Sequence, residues 1–333
     1  RRIMEKAIIF SDLHIHLYKA FNEGNRRLKN GIAFLDYIFT LAHTNGIKYI
    51  LMPGDLANNM QIISTKVVNA ITTCLNNNFE QYPEIILIAV SGNHDQATVN
   101  LIDTPAESIL EYLAEVFPNF ILLDYSDVSE YITEGKNRIS GISYFEHQEH
   151  FQAALTIVSN RTDPNRGNVT LLMHQTVGSG LPIEDTIEPD DPLFNNFSLV
   201  LNGHIHTCEQ LTDKFINVGN PQARDAGDIG KKKGFWIVDL DDPQATISFK
   251  DISDKYPQFL YKTVGEPLTD WEKEQYVIFQ PAVTAENTSD NLRNEKFSNT
   301  LQPTEILENY CNETLPKEEI KDKLAYGIKL LQS

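Results

Sequence analysis

The chain has 333 residues, 41% apolar and 22% charged, a balance that can bury a sizeable core and excludes an intrinsically disordered protein. Its formal net charge of −18 excludes a protein that grips nucleic acid over its general surface, because lysine and arginine normally supply that affinity by neutralising phosphates. Cys74, Cys208 and Cys311 are scattered without a CxxC spacing, which excludes a cysteine zinc site and fits a reducing cytosol, and no run of about 18 apolar residues is present to span a membrane.

The opening stretch RRIMEKAIIFSD, with Met4 as a candidate start, lacks the apolar segment and cleavage site of a signal peptide. Its apolar run 7–10 predicts a strand ending in Ser11-Asp12-Leu13-His14, an acid and a histidine two residues apart, with His16 continuing the alternation at the rim. Ile32, Leu35, Ile38, Phe39 and Ala42 follow helical spacing up to Gly46. IKYILMP then predicts a buried strand ending at Gly54-Asp55, and the spacing from Ile62 to Leu75 predicts a second helix. IILIAV predicts a third strand, closed by Ser91-Gly92-Asn93-His94-Asp95 and followed by a helix over 105–116 capped by Thr104. FILLD, RISGISYF and NVTLLMH are further predicted strands, the last ending at His174. SLVLNGHIH, 198–206, is a buried strand that delivers His204 and His206, whose Cα atoms in extended backbone lie roughly 6.5 to 7 Å apart.

Beyond it come FINVGNP, a loop with Arg224 and Lys231-Lys232-Lys233, and then GFWIVDL and TISFKDI, which read as antiparallel strands finishing the sheet. QFLYKTV and YVIFQPA read as a small strand-rich appendage over 256–283, the polar stretch 284–303 as a linker, and 304–333 as a pair of short helices. In the second of these, Pro316, Glu318 and Glu319 occupy the first turn, and Ile320, Leu324, Ile328 and Leu331 form an apolar stripe.

Five predicted strand ends thus deliver Asp12, His14, Asp55, Asn93, His94, His174, His204 and His206. Carboxylate, amide oxygen and imidazole without thiolate suit manganese, iron or zinc rather than calcium. Asp12, His14, Asp55, Asn93, His174, His204 and His206 are too many for one ion and suit two divalent ions sharing a carboxylate. Two ions about 3.5 to 4 Å apart clamp the attacking and leaving oxygens of an in-line displacement at phosphorus. They also bring the pKa of water from about 15.7 to about 7, roughly 12 kcal/mol of stabilisation, which no side-chain base matches alone. With only two acidic ligands the cluster carries a formal charge of about +2, enough to attract a phosphodiester to an acidic protein. His94 is expected to contact the scissile phosphate or protonate the leaving oxygen, with Asp95 orienting it.

DLH, GD, GNHD, His174 and GHIH, in this order, resemble the motifs of the calcineurin-like metallophosphoesterase superfamily over about residues 6–250. The resemblance implies an α/β fold, a four-layer α/β/β/α sandwich around two facing sheets, with a catalytic domain over 4–255 and a small C-terminal appendage and helix pair. By matching positions it implies one metal on Asp12, His14, Asp55 and His206 and another on Asp55, Asn93, His174 and His204, with Asp55 as the bridge. FINVGNPQARDAGDIGKKKGFWIVDLD further resembles SbcD-type DNA-repair nucleases, including short phage-encoded forms. That likeness implies a manganese-dependent exonuclease or endonuclease, with magnesium, iron or zinc as alternative ions, acting in DNA recombination or repair in the cytoplasm of a bacterial or phage-infected cell. It implies an SbcC-like SMC-type ATPase as partner through the C-terminal helices, and the chain also admits a homodimer. Arg224, Lys231, Lys232 and Lys233 are then expected on the DNA.

The sequence departs from the family at Asn58, where an acidic residue or histidine is usual, and in the short region after Gln258. Two other readings compete. One is a phosphodiesterase or phosphatase for a small molecule or cyclic nucleotide; a phosphoprotein substrate is disfavoured because Asn58-Asn59 lack the arginine, and GNHD lacks the glutamate, of phosphoprotein phosphatases. The other is a non-catalytic scaffold protein.

Overall fold

The computed structural model describes residues 4–18, 20–58, 63–125, 130–162, 167–178 and 186–280. The expected linker and helix pair over 284–333 lie outside the described residues. The candidate site residues all belong to one compact unit, Arg1–Lys262 with Glu266–Ile278.

The first part of the chain runs β1 (Lys6–Ile9), α1 (Arg26–Thr44), β2 (Tyr49–Pro53), α2 (Thr65–Gln81), β3 (Ile86–Val90), α3 (Ile109–Val116) and β4 (Phe120–Leu122). There follow β5 (Glu130–Ile132), β6 (Arg138–Ile142), α4 (Gln148–Arg161), β7 (Val169–His174), β8 (Leu199–Gly203), β9 (Glu209–Gln210) and β10 (Phe215–Asn217). The last described elements are β11 (Gly234–Asp239), β12 (Ser248–Asp251), β13 (Phe259–Thr263), α5 (Asp270–Lys273) and β14 (Tyr276–Gln280). One sheet has the order β12-β11-β1-β2-β3-β4, another β5-β6-β7-β8-β10-β9, and β13 pairs with β14. In the first sheet β1 to β4 are parallel, and β11 and β12 add antiparallel strands at its edge. In the second, β6, β7, β8 and β10 are parallel between antiparallel edge strands.

Successive residues of a strand face opposite sides, so a strand apolar at every position needs cover on both. Ile8, Ile50, Met52 and Leu87 pack against Phe34 and Ile38 of α1, Leu75 of α2 and Leu113 of α3. Their neighbours Ala7, Ile9, Leu51 and Ile88 meet Ile139, Leu172, Leu199 and Leu201 of the second sheet. On the far side of that sheet Leu171, Met173 and Val200 pack against Phe151, Leu155 and Val158 of α4. Three apolar seams therefore separate helices, sheet, sheet and helix, the expected α/β/β/α order. Each fully buried Leu, Ile or Phe contributes about 1.5 to 3 kcal/mol to holding the layers together.

Several expectations are corrected. The helix predicted from 105 begins at Ile109, and its cap is Ser108, not Thr104, because Ser108 and Glu111 close a capping box. Residues 96–107 instead fold back on themselves: the Ala97 N–H donates to the Glu107 carbonyl at 2.8 Å, and Leu101 and Thr104 exchange N–H···O bonds at 3.0 and 3.1 Å. FINVGNP, assigned to no sheet above, supplies β10, parallel to β8 in the second sheet. No helix is predicted above for α4, although Phe151, Ala154, Leu155 and Val158 carry its buried stripe. Among the described residues no helix is long and apolar enough to cross a membrane.

Candidate metal centre

Parallel strands bring their carboxyl ends to one edge. Here β1, β2 and β3 do so in one sheet and β7 and β8 in the other, and the two edges meet. All seven candidate ligands sit at that junction. The chain leaves the strands sharply: Asp12 (φ 53°), His14 (48°), Asp55 (56°) and His204 (72°) all have left-handed backbone. They are four of the seven positive-φ non-glycine residues among the described residues, so backbone strain, on the order of 1 to 3 kcal/mol each, is concentrated at this site. It is held by specific bonds. The Asp12 N–H donates to the Gly54 carbonyl at 3.1 Å, His14 to the Asp55 carbonyl at 3.0 Å and His204 to Asp12 Oδ1 at 3.1 Å. At Gly203 a Cβ would strike the Pro53 carbonyl and the His174 ring, which is why glycine precedes His204.

Asp55 Oδ2 lies 3.4 Å from His14 Nε2 and 3.4 Å from His174 Nε2. On one side of it, Asp12 Oδ1 is 3.8 Å from His14 Nε2 and 3.6 Å from His206 Nε2, and those two imidazole nitrogens are 3.1 Å apart. On the other side, Asn93 Oδ1 is 3.1 Å from His174 Nε2 and 3.2 Å from His204 Nδ1. The donor atoms therefore fall into two groups with Asp55 in common. Three overlapping triads, Asp12/His14/His206, His14/Asp55/His94 and Asp12/Asp55/His174, have their ligand atoms within 4.8 Å of one another.

The chemistry of this set fits divalent cations. Asp12 Oδ2 is buried without a hydrogen-bond partner. Burial pushes Asp12 up to about 7, against the pull of His174. Burial also opposes ionisation of Asp55, yet the imidazoles of His174 and His14 hold it well below the usual carboxylate range. At His174 burial opposes a charge, but the Asp55 and Asp12 carboxylates raise its pKa to about 9. A site that draws a proton onto a wholly buried imidazole is short of positive charge. The Nδ1–H of His174 donates to the Pro53 carbonyl at 2.8 Å, which turns Nε2 towards Asp55 and Asn93. Burial lowers His204 to about 3, His206 to about 4 and His14 well below its ordinary value, leaving neutral imidazoles with a lone pair to offer.

Around the cluster three expectations change. Asp95 does not orient the His94 ring: its carboxylate accepts the N–H groups of Asp55 (2.7 Å), Ala57 (3.1 Å) and Gly92 (3.0 Å), pinning the two loops together. Replacing Asp95 with alanine would leave three buried donors without an acceptor, at about 1 to 3 kcal/mol each before relaxation. The expected loss is at least about 3 kcal/mol of unfolding free energy in urea; a loss below about 0.5 kcal/mol would show that Asp95 pins nothing. His16, expected at the rim, is buried, and its Nδ1 accepts the Tyr18 N–H at 3.0 Å. Lys233, expected on DNA, is fully buried with Nζ 2.6 Å from Asp228 and bonded to Asn220, so its amine cannot reach a phosphate backbone. Lys231 and Lys232 are exposed.

Arg224 does reach the centre: its Nη1 is 3.2 Å from His14 Nε2 and 3.1 Å from His206 Nε2. His94 donates its backbone N–H to Asp55 Oδ1 at 2.8 Å, and its ring meets that of His14 edge-on at 4.8 Å. Burial lowers the His94 pKa, so the ring is neutral with one N–H to donate. Asn58 is buried, with its N–H on the Ile15 carbonyl at 3.2 Å. Sequence reasoning missed Tyr144, whose ring stacks on His204 at 5.4 Å and meets His174 edge-on at 6.1 Å. The signal was its place two residues past β6, the neighbour of β7.

Residues 6–208 match the calcineurin-like phosphoesterase family. Over 192 residues the chain is 26% identical to the SbcD component of nuclease SbcCD from Staphylococcus saprophyticus, an alignment covering 50% of this chain and 48% of that protein. The chain thus spans about half the length of this curated relative. Similar solved structures include a Pseudomonas putida nuclease MPE (TM-score 0.29, 14% identity, 63% of this chain and 66% of that one). A dimetal phosphatase from Danio rerio is also similar (TM-score 0.44, 10% identity, 75% of this chain and 99% of that one).

Proposed function

Since this chain belongs to the calcineurin-like phosphoesterase family and is a metal-dependent phosphoesterase, we propose that it is a DNA nuclease of SbcD type, cutting phosphodiester bonds with manganese in recombination or repair alongside an SbcC-like ATPase. The observation that carries the chemistry is the Asp55 carboxylate oxygen equidistant from His14 and His174. The likeness to the SbcD component of nuclease SbcCD supports DNA as the substrate. On this reading Asp12, His14, Asp55 and His206 hold one ion and Asp55, Asn93, His174 and His204 the other. When bound, such ions supply positive charge to the phosphoryl oxygens and make hydroxide accessible near neutral pH.

The side chains do the rest. Asp95, through the Asp55 N–H, holds the shared carboxylate in its strained conformation. Arg224 brings a permanent, forked positive charge beside His14 and His206, where it binds a phosphoryl oxygen. His94 offers its N–H to the scissile group. A local cationic patch of this kind lets a chain of net charge −18 take a polyanion at one place only. Arg224→Ala is expected to lower kcat/KM on DNA about 10- to 100-fold, ~1.4 to 2.7 kcal/mol, with the bound metal content unchanged. Loss of metal instead would make Arg224 a structural support.

The decisive assay compares linear DNA, supercoiled plasmid and bis-p-nitrophenyl phosphate in manganese. Cleavage of DNA is expected. Turnover confined to the small diester, even with the ATPase partner added, would overturn the nuclease reading in favour of a small-molecule phosphodiesterase.

A further inference from the structure

Residues 96–100, the first arm of the folded-back segment 96–107, wall a cavity of about 490 Å³ that begins at Asn93 and is also lined by Tyr144 and Glu146. Small-ligand sites span about 300 to 1,000 Å³, and this volume suits one nucleoside. The wall is braced against the strand end carrying Tyr144. Gln96 Nε2 and Asn100 Nδ2 both donate to the Tyr144 carbonyl, each at 3.0 Å. Asn100 Oδ1 accepts the Ala106 N–H at 3.2 Å, and Thr98 Oγ1 the Glu107 N–H at 3.0 Å.

Charge divides the labour between the cavity and the cluster beside it. Glu146 alone among the described lining residues is charged, so the cavity repels a phosphate. Arg224 stands instead with His14 and His206. The Tyr144 ring, stacked on His204 and only half-buried, offers a planar surface next to the place where the phosphate would react.

We propose that this cavity receives one unpaired nucleobase of the substrate, stacked against Tyr144, and thereby delivers the phosphate of that nucleotide to the cluster at Asn93. The inference rests on the nuclease reading and sharpens it. A base inside a duplex is already stacked and paired, so the site selects single strands and frayed ends. Stacking on one aromatic side chain changes affinity about tenfold or more.

The test uses the full chain in manganese and two single-stranded oligonucleotides that differ in one feature: the nucleotide at the cleaved bond carries a base or is abasic. Wild-type protein is expected to show a KM about tenfold higher on the abasic strand. Tyr144→Ala is expected to raise KM on the base-bearing strand about tenfold and abolish the difference between the strands, while Tyr144→Phe restores it. Val99→Trp, which fills the cavity from an exposed position, is expected to abolish the difference independently. Equal KM values for the two strands with wild-type protein would overturn the proposal, as would a Tyr144→Ala variant that slows both strands and keeps their ratio. If wild-type protein cuts neither strand even with the ATPase partner added, the nuclease reading itself fails and the base site falls with it.

Discussion

Replacing Asp55 with asparagine is expected to lower kcat on any phosphodiester at least about 10³-fold, ~4 kcal/mol of transition-state stabilisation, and to reduce the divalent metal retained after dialysis from two ions per chain. Asparagine is the informative substitution because it keeps the size of the side chain and tolerates the left-handed backbone that Asp55 adopts at φ 56°. The fold and the Asp95 bond to the Asp55 N–H therefore survive. What disappears is the negative charge between His14 and His174, each 3.4 Å from the same oxygen. Because the same Asp55 oxygen lies 3.4 Å from an imidazole of each donor group, this change touches both. Elemental analysis alongside kcat decides the matter: two retained ions with undiminished turnover would sink the shared-carboxylate assignment.

His94→Gln is expected to lower kcat about 10²- to 10⁴-fold, the usual range for losing a positioned proton donor, while leaving metal content as it was. The separation from Asp55→Asn follows from the geometry. The His94 main chain supplies the N–H bonded to Asp55 Oδ1, and this bond does not depend on the side chain. The ring packs edge-on against His14, and one of its nitrogens lies within 4.8 Å of the His14 and Asp55 ligand atoms. Comparing leaving groups resolves its role. If His94 protonates the leaving oxygen, the loss is large on DNA, which expels an alkoxide, and small on bis-p-nitrophenyl phosphate, which expels a stable phenolate. Equal losses on both would assign the ring to a phosphoryl oxygen. A fall in metal content would instead place His94 among the ligands.

Much of the framework was readable in advance for a simple reason. Strands such as Tyr49–Pro53 and Ile86–Val90 are buried at nearly every position, so they appear as unbroken apolar runs. Whatever polar residue follows such a run stands out. The misreadings share another cause. Lys231, Lys232 and Lys233 look alike as a basic run, but Lys233 pairs with Asp228 and is drawn inside, while the other two stay exposed. Asp95 looks like a partner for its neighbour His94, yet the N–H groups of Asp55, Ala57 and Gly92 converge on it. Thr104 and Ser108 are each followed three residues later by a glutamate, Glu107 and Glu111, so the pattern does not separate them; Thr104 is held in a turn by exchanged bonds with Leu101, which leaves Ser108 as the cap. Tyr144 carried no motif at all; its significance depends on β6 lying next to β7.

By itself, the sequence determined which residue types leave the strand ends, because the length of each apolar run dictates where the strand stops and the next side chains emerge. The layer order came from the resemblance to the family, since strands apolar on both faces must be covered on both but do not say whether helices or a second sheet provide the cover. Only the tertiary structure decided which of those side chains meet. The His204 N–H bonds to Asp12 across 192 positions of sequence, and His174 to Pro53 across 121. Such contacts are set by how the two sheets pack on one another, and local spacing holds no information about that register. The same packing places Arg224 beside His14 and His206 and opens the cavity at Asn93.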